Sequence, residues 1–233
     1  MENSPFPKAK PKPEDEKSIQ RRITKALQNE GFFVKWTHGD RYQMGVPDMY
    51  THHRVYGPRW VECKRPGGSR LEDSQIELFS EWEARRIGVW VLTDATPEKL
   101  LAPPNWREFH TGREVKRPRV ERLSSSGPER DLQEAIKRKL RATGWSCVDL
   151  HGMTYSHGFP DLYACHYDWG GRFIEVKAQV RFTPAQKRVF REMTDVGCPI
   201  WVLTSDDVTP LFRKANVDQY SMRLAAPKNP LRP

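Results

Sequence analysis

Cysteine is scarce and unpatterned in this chain of 233 residues. Cys63, Cys147, Cys165 and Cys198 form no CxxC pair, and none recurs at the spacing of the internal repeat described below. A disulfide framework is not expected, and a reducing, cytoplasmic setting fits. Cys147 and His151 stand four apart, but two further zinc ligands are lacking. Long apolar runs are missing too, so no membrane span is expected. The stretch Met1 to Pro13 is polar, Pro-rich and lysine-bearing, unlike a signal peptide.

A strong charge of one sign is missing from most of the chain. Net charge is +9, yet residues 14–101 hold 14 Lys+Arg against 14 Asp+Glu. Residues 129–216 hold 13 against 11. The remaining +7 lies in 1–13, 102–128 and 217–233. Basic tails and a basic linker around near-neutral domains read as arms for a polyanion, with solvated, solubilising tails as the alternative.

What is present is a repeat. Gly45, Pro47, Asp48, Glu62 and Lys64 recur as Gly158, Pro160, Asp161, Glu175 and Lys177, each 113 residues later. The match extends to flanking positions, including Glu16 with Glu129, Gln20 with Gln133, His38 with His151 and Tyr50 with Tyr163. After the lysine the spacing drops to 111, pairing Gln75 with Gln186 and Trp90–Thr93 with Trp201–Thr204. The two-residue difference falls near Pro66–Ser69, a loop composition. A repeat on this scale divides the chain into two domains, 14–101 and 129–216. Between them, 102–128 carries a Pro- and Ser-bearing, basic composition that reads as a flexible linker spanning roughly 30 Å as a coil.

Each half reads as helix, three strands, helix, strand and a short final helix. Ile19, Ile23 and Leu27 share one helical face, as do Leu132, Ile136 and Leu140, and Gly31 and Gly144 stop these helices. Arg59–Lys64 and Arg172–Lys177 alternate as strands, setting each glutamate and lysine on one face. Second helices are expected over 74–86 and 184–196. The Trp-Val-Leu-Thr runs read as buried strands, parallel to their neighbours after a helical crossover. The fold class is α/β, with a mixed sheet flanked by helices in each half.

Two acids and a lysine converging at strand ends suit phosphodiester hydrolysis. Carboxylates hold a hard divalent cation, which binds the phosphate and helps generate hydroxide. Asp48 and Glu62 can converge on one cation, with the carbonyl of Cys63 adding a ligand. Asp161, Glu175 and the carbonyl of Val176 do the same in the second copy. Lys64 and Lys177 can orient or deprotonate the attacking water or stabilise developing charge. One such copy is a weak signal, matched by any salt bridge between sheet neighbours. Two copies with matching flanks are a stronger one.

With these motifs the chain resembles the PD-(D/E)xK nuclease superfamily, nearest to virus-type replication-repair nuclease domains and Holliday-junction resolvases. The resemblance implies tandem restriction-endonuclease-like domains arranged as an intramolecular pseudo-dimer. It implies Mg²⁺, replaceable by Mn²⁺, with Glu16 and Glu129 completing the metal sites and Gln75 and Gln186 beside the catalytic lysines. His38 and His151 are candidates for touching the scissile phosphate or assisting the water, with a polar turn as the alternative. Tyr42 and Tyr155 face a similar choice between substrate and packing. Arg65, Arg70, Arg181 and Lys187 flank the sites and are candidates for gripping phosphates, or else a solvated face.

Two linked sites fit paired incision of DNA strands related by a two-fold axis, with pairing made intramolecular by the linker. The expected activity is a structure-selective endonuclease acting on Holliday or other branched junctions. Cleavage of ordinary duplex, as in restriction or phage attack on host DNA, is the alternative enzyme reading. A DNA-binding scaffold is the non-enzyme reading, opposed by both copies keeping every acid and lysine. Further dimerisation is left open.

Overall fold

A computed structural model describes residues 15–37, 45–67, 70–110, 127–150 and 157–220. The first half contains α1 (Glu16–Asn29), β1 (Phe33–Trp36), β2 (Met49–His53), β3 (Gly57–Cys63), α2 (Asp73–Glu83) and β4 (Val89–Leu92). The second repeats them as α3 (Pro128–Ala142), β5 (Ser146–Asp149), β6 (Leu162–His166), β7 (Gly170–Val176), α4 (Pro184–Asp195) and β8 (Ile200–Leu203). Short 3₁₀ turns close each half, Pro97–Leu101 and Trp106–Phe109 in one, Thr209–Phe212 and Val217–Tyr220 in the other. The two four-stranded sheets run β1-β2-β3-β4 and β5-β6-β7-β8. Their first three strands are antiparallel, and the last pairs in parallel across the helix. The chain is thus α/β, with two mixed sheets flanked by helices. Among the described residues no helix is long and apolar enough to cross a membrane.

Local chemistry accounts for these elements. The Asp15 carboxylate caps α1 by accepting from the Ser18 N–H at 2.7 Å. Gly31 and Gly144 turn left-handed after α1 and α3, with φ of 83° and 86°. The next N–H groups, of Phe32 and Trp145, then reach back to Leu27 and Leu140 at 3.0 Å. α2 stops at Glu83, short of the expected 86.

Period-two alternation gives each sheet two jobs. Met49, Val61 and Cys63 face α1 with Ile19, Ile23 and Leu27, and Leu162, Ile174 and Val176 face Ile136 and Leu140 of α3. The opposite faces carry Tyr50, Trp60, Tyr163 and Phe173 into one cluster shared by both halves. Tyr50 meets Phe173 at 4.6 Å between ring centroids, and Tyr163 meets Trp60 at 4.9 Å. Tyr50 corresponds to Tyr163 and Trp60 to Phe173, so each contact is the other's exchange. That is the signature of a two-fold pairing. Contacts at the rim are one-sided. Arg86 stacks over Tyr167 at 4.1 Å, the Arg85 Nε donates to the Gly144 carbonyl at 3.3 Å, and the Lys35 Nζ donates to the His157 carbonyl at 3.1 Å.

The domain limits shift at both C-terminal ends. Residues 102–110 were expected in the linker, but Trp106 is buried against Phe79. The Asn105 side chain accepts from the Val91 N–H at 2.7 Å and donates to its carbonyl at 3.1 Å. Asn216 treats Val202 identically, at 2.7 and 2.9 Å, and Val217 is buried, so the second half runs to 220 rather than 216. The physical reason is that β4 and β8 are sheet edges, whose open backbone groups need partners.

Candidate functional site

Asp48 enters β2 and Glu62 lies near the end of β3. Extending the Met49–Val61 register by one residue sets Asp48 opposite Glu62. The Cys63 N–H donates to Asp48 Oδ2 at 2.7 Å, and the Asp48 N–H donates to Glu62 Oε2 at 3.2 Å. Lys64 Nζ pairs with Glu62 Oε1 at 2.6 Å. Gln75 Nε2 donates to that same oxygen at 2.6 Å, while its own Oε1 accepts from the Glu72 N–H at 3.0 Å. One glutamine therefore caps α2 and fixes the site glutamate.

The second half repeats the wiring. The Val176 N–H donates to Asp161 Oδ2 at 2.8 Å, Lys177 pairs with Glu175 Oε1 at 2.6 Å, and Gln186 Nε2 also donates to Glu175 Oε1. Gln186 closes the capping box of α4 with Thr183. Gly45 and Gly158, at φ of 91° and 80°, carry the chain tightly past the starts of α2 and α4. A side chain there would collide with the carbonyls of Ser74 and Ala185. The glycine of the motif is therefore needed for close approach of the aspartate loop to the glutamine-bearing helix.

Asp48, Glu62, Lys64, Asp161, Glu175 and Lys177 are all buried. Burial raises the pKa of Asp48, with Glu16 adding to it. Burial raises Glu62, and the neighbouring Asp48 charge adds to it. Glu175 is pushed well up by burial and then by Asp161. Burial works against the Lys64 cation, but Glu62, Asp48 and Glu16 outweigh it and raise its pKa. Lys177 is raised likewise by Glu175, Asp161 and Glu129 against burial. Each site is thus a buried pair of carboxyl groups whose charged forms are disfavoured by burial, set beside a lysine ammonium.

A divalent cation fits this donor set. Glu175 Oε2 is buried and has no hydrogen-bond partner among the described residues, an arrangement that a ligand or ion would satisfy. The donors are hard oxygens, suited to Mg²⁺ or Mn²⁺. Among the described residues no three His, Cys, Asp or Glu side chains are grouped to hold a metal. Glu16 lies close enough to raise the pKa of Asp48 and Lys64, and Glu129 accepts from Lys177 at 3.1 Å. The acids brought together are Asp48 with Glu62 and Asp161 with Glu175.

Gln75 and Gln186 hold the glutamates rather than merely standing beside the lysines. Arg65, Arg70 and Arg181 are exposed and Lys187 is half-buried. Arg65 follows Lys64 directly, Arg70 precedes the α2 cap, and Arg181 precedes the α4 cap. His38, His151, Tyr42 and Tyr155 lie outside the described residues. The structure adds Gln20, whose buried side chain hydrogen-bonds Asp48 and lowers its pKa against the effect of burial. A glutamine inside the apolar stripe of α1, repeated as the buried Gln133, was the available signal.

Comparison with protein-family models, curated proteins and solved structures finds no match to this chain.

Proposed function

We propose that the chain is a divalent-metal-dependent DNA endonuclease of the PD-(D/E)xK type. Its two halves act as a covalent pseudo-dimer that makes paired incisions in branched junctions. The observation that carries the reading is the duplicated wiring. In both halves the aspartate accepts from the residue between glutamate and lysine, and lysine and glutamine converge on one glutamate oxygen. A fold needs one salt bridge neither so buried nor so repeated.

Asp48 with Glu62, and Asp161 with Glu175, would hold Mg²⁺ or Mn²⁺ together with the carbonyls of Cys63 and Val176. When bound, the cation supplies charge neutralisation at the phosphate and a more acidic water. Gln75 and Gln186 orient the glutamates. Lys64 and Lys177 are positioned to hold the attacking water or stabilise charge developing on phosphate oxygens. Burial keeps bulk water away and strengthens each of these interactions.

The test is incubation of labelled four-way junction, flap, duplex and single strand with Mg²⁺, then Mn²⁺. Symmetrical cuts in the junction are expected. Equal cleavage of plain duplex would replace the junction reading with a duplex nuclease. Binding without cleavage of any substrate would leave a DNA-binding scaffold.

A further inference from the structure

We infer that the two halves grip nucleic acid unequally: Lys35, Lys187, Arg188 and Arg191 form a phosphate-binding surface beside the second site, with no equivalent beside the first. This rests on the nuclease reading and adds an asymmetry to it.

The α4 helix begins at the second site through Gln186 and buries Gln186, Val189, Phe190 and Met193. Its remaining face carries Lys187, Arg188 and Arg191 along a depression of about 520 Å³ floored by Phe182 and Pro184. Lys35 arrives from the other half. It donates to the carbonyl of His157, the residue before the motif glycine Gly158. Its pKa is lowered by burial and then by Arg188, so positive charge is crowded here. Glu192 and Asp195 share the face, and Glu192 lies 3.9 Å from Arg188. Counting all six residues leaves a local charge of +2.

The repeat gives the corresponding first-half surface. Lys35 maps to Val148, and Lys187, Arg188, Arg191, Glu192 and Asp195 map to Ile76, Glu77, Ser80, Glu81 and Ala84. Those six positions sum to −2. Glu77 and Glu81 are exposed on α2, where Glu81 lies 3.5 Å from Arg85 and Glu77 would repel a phosphate backbone. Val148 has no side-chain donor and packs against the shared apolar cluster. Backbone contacts by Lys and Arg release counterions and dominate affinity, so such a difference sets which half holds the DNA.

The full chain, in EDTA to prevent cutting, is titrated into dye-labelled four-way junction and duplex at several salt concentrations. Arg188→Glu/Arg191→Glu should weaken binding about tenfold or more and reduce the slope of log affinity against log salt by about 2. Lys35→Gln should reduce that slope by about 1. Glu77→Lys/Glu81→Lys should tighten binding by creating a second grip. Wild-type affinity in Arg188→Glu/Arg191→Glu would overturn the inference. So would an equal loss from Arg21→Glu/Lys25→Glu on α1, since that would mean a diffuse charge effect. If the unaltered chain binds no DNA, the nuclease reading falls first, and this inference with it.

Discussion

Glu62 and Glu175 occupy the same place in their halves but differ in what meets the second oxygen. Glu62 Oε2 accepts from the Asp48 N–H, whereas Glu175 Oε2 has no partner among the described residues. Lys177 is shared between Glu175 and Glu129. Around these differences the skeleton is unchanged: the capping glutamine, the tight glycine and the aspartate bonded to the neighbouring strand. The unchanged parts are those that both fold and site require. Gln75 and Gln186 serve a helix start and a carboxylate at once, so neither can drift without two losses. The parts that differ are the contacts of one glutamate oxygen and one lysine, each within its own half.

The largest expected effect tests whether the two sites are independent. Asp48→Ala or Asp161→Ala should slow the cut at its own site by about 10³-fold, the rate equivalent of several kcal/mol of lost charge stabilisation. The other cut should persist, turning paired incision into nicking on strand-specific labels. Complete loss of both cuts from either change would show that the sites work as one.

Next comes the shared core. Trp60→Ala should cost about 3–5 kcal/mol, as deletion of a buried aromatic does. Because Trp60 contacts Tyr163 and Phe173 across the interface, both halves should lose stability in a single calorimetric transition. Two transitions with only one displaced would separate the halves energetically.

Asn105→Ala and Asn216→Ala should each cost about 1–3 kcal/mol by unpairing edge-strand backbone groups. Denaturant midpoints should shift alike for the two variants. A marked inequality would mean that the edges are protected differently.

A pH-dependent effect concerns His52, which stands where the other half has Cys165. Burial, then His53 and Arg59, lower its pKa to about 4 from the ordinary 6.5. Between those values the unfolded chain binds the proton and the folded chain does not. Its contribution to stability is therefore present above about pH 6.5 and is lost as pH falls towards 4. His52→Cys should flatten that part of the stability profile relative to wild type. An identical acid limb in both proteins would remove His52 from the account.

Much of this was legible in the sequence because the repeat reports on itself. The change from 113 to 111 marks a loop, glycines mark helix ends, and alternation sets Glu62 and Lys64 on one face. The reading of 102–110 as linker failed because Pro103, Pro104 and the flanking charges mask a single buried tryptophan. The signal was there, since Leu100 and Asn105 match Leu211 and Asn216 at the 111 spacing. The glutamine roles were less visible, because spacing does not distinguish a glutamine that donates to the site glutamate from one that only stands beside the lysine. The crossing of Tyr50 and Tyr163 between halves was invisible, as periodicity records which face is apolar but not what covers it.

The exchanged aromatic contacts carry a consequence for ancestry. A lone ancestral half with this surface would meet its own copy through the same rings, and one codon would then write both sides of the axis at once. Any enlargement would be felt twice, in mirrored places, and only residues tolerable in both would survive. Fusion into one gene ends that constraint. Tryptophan at 60 and phenylalanine at 173 stand at corresponding positions and differ, a difference that a fused pair permits and a homodimer forbids.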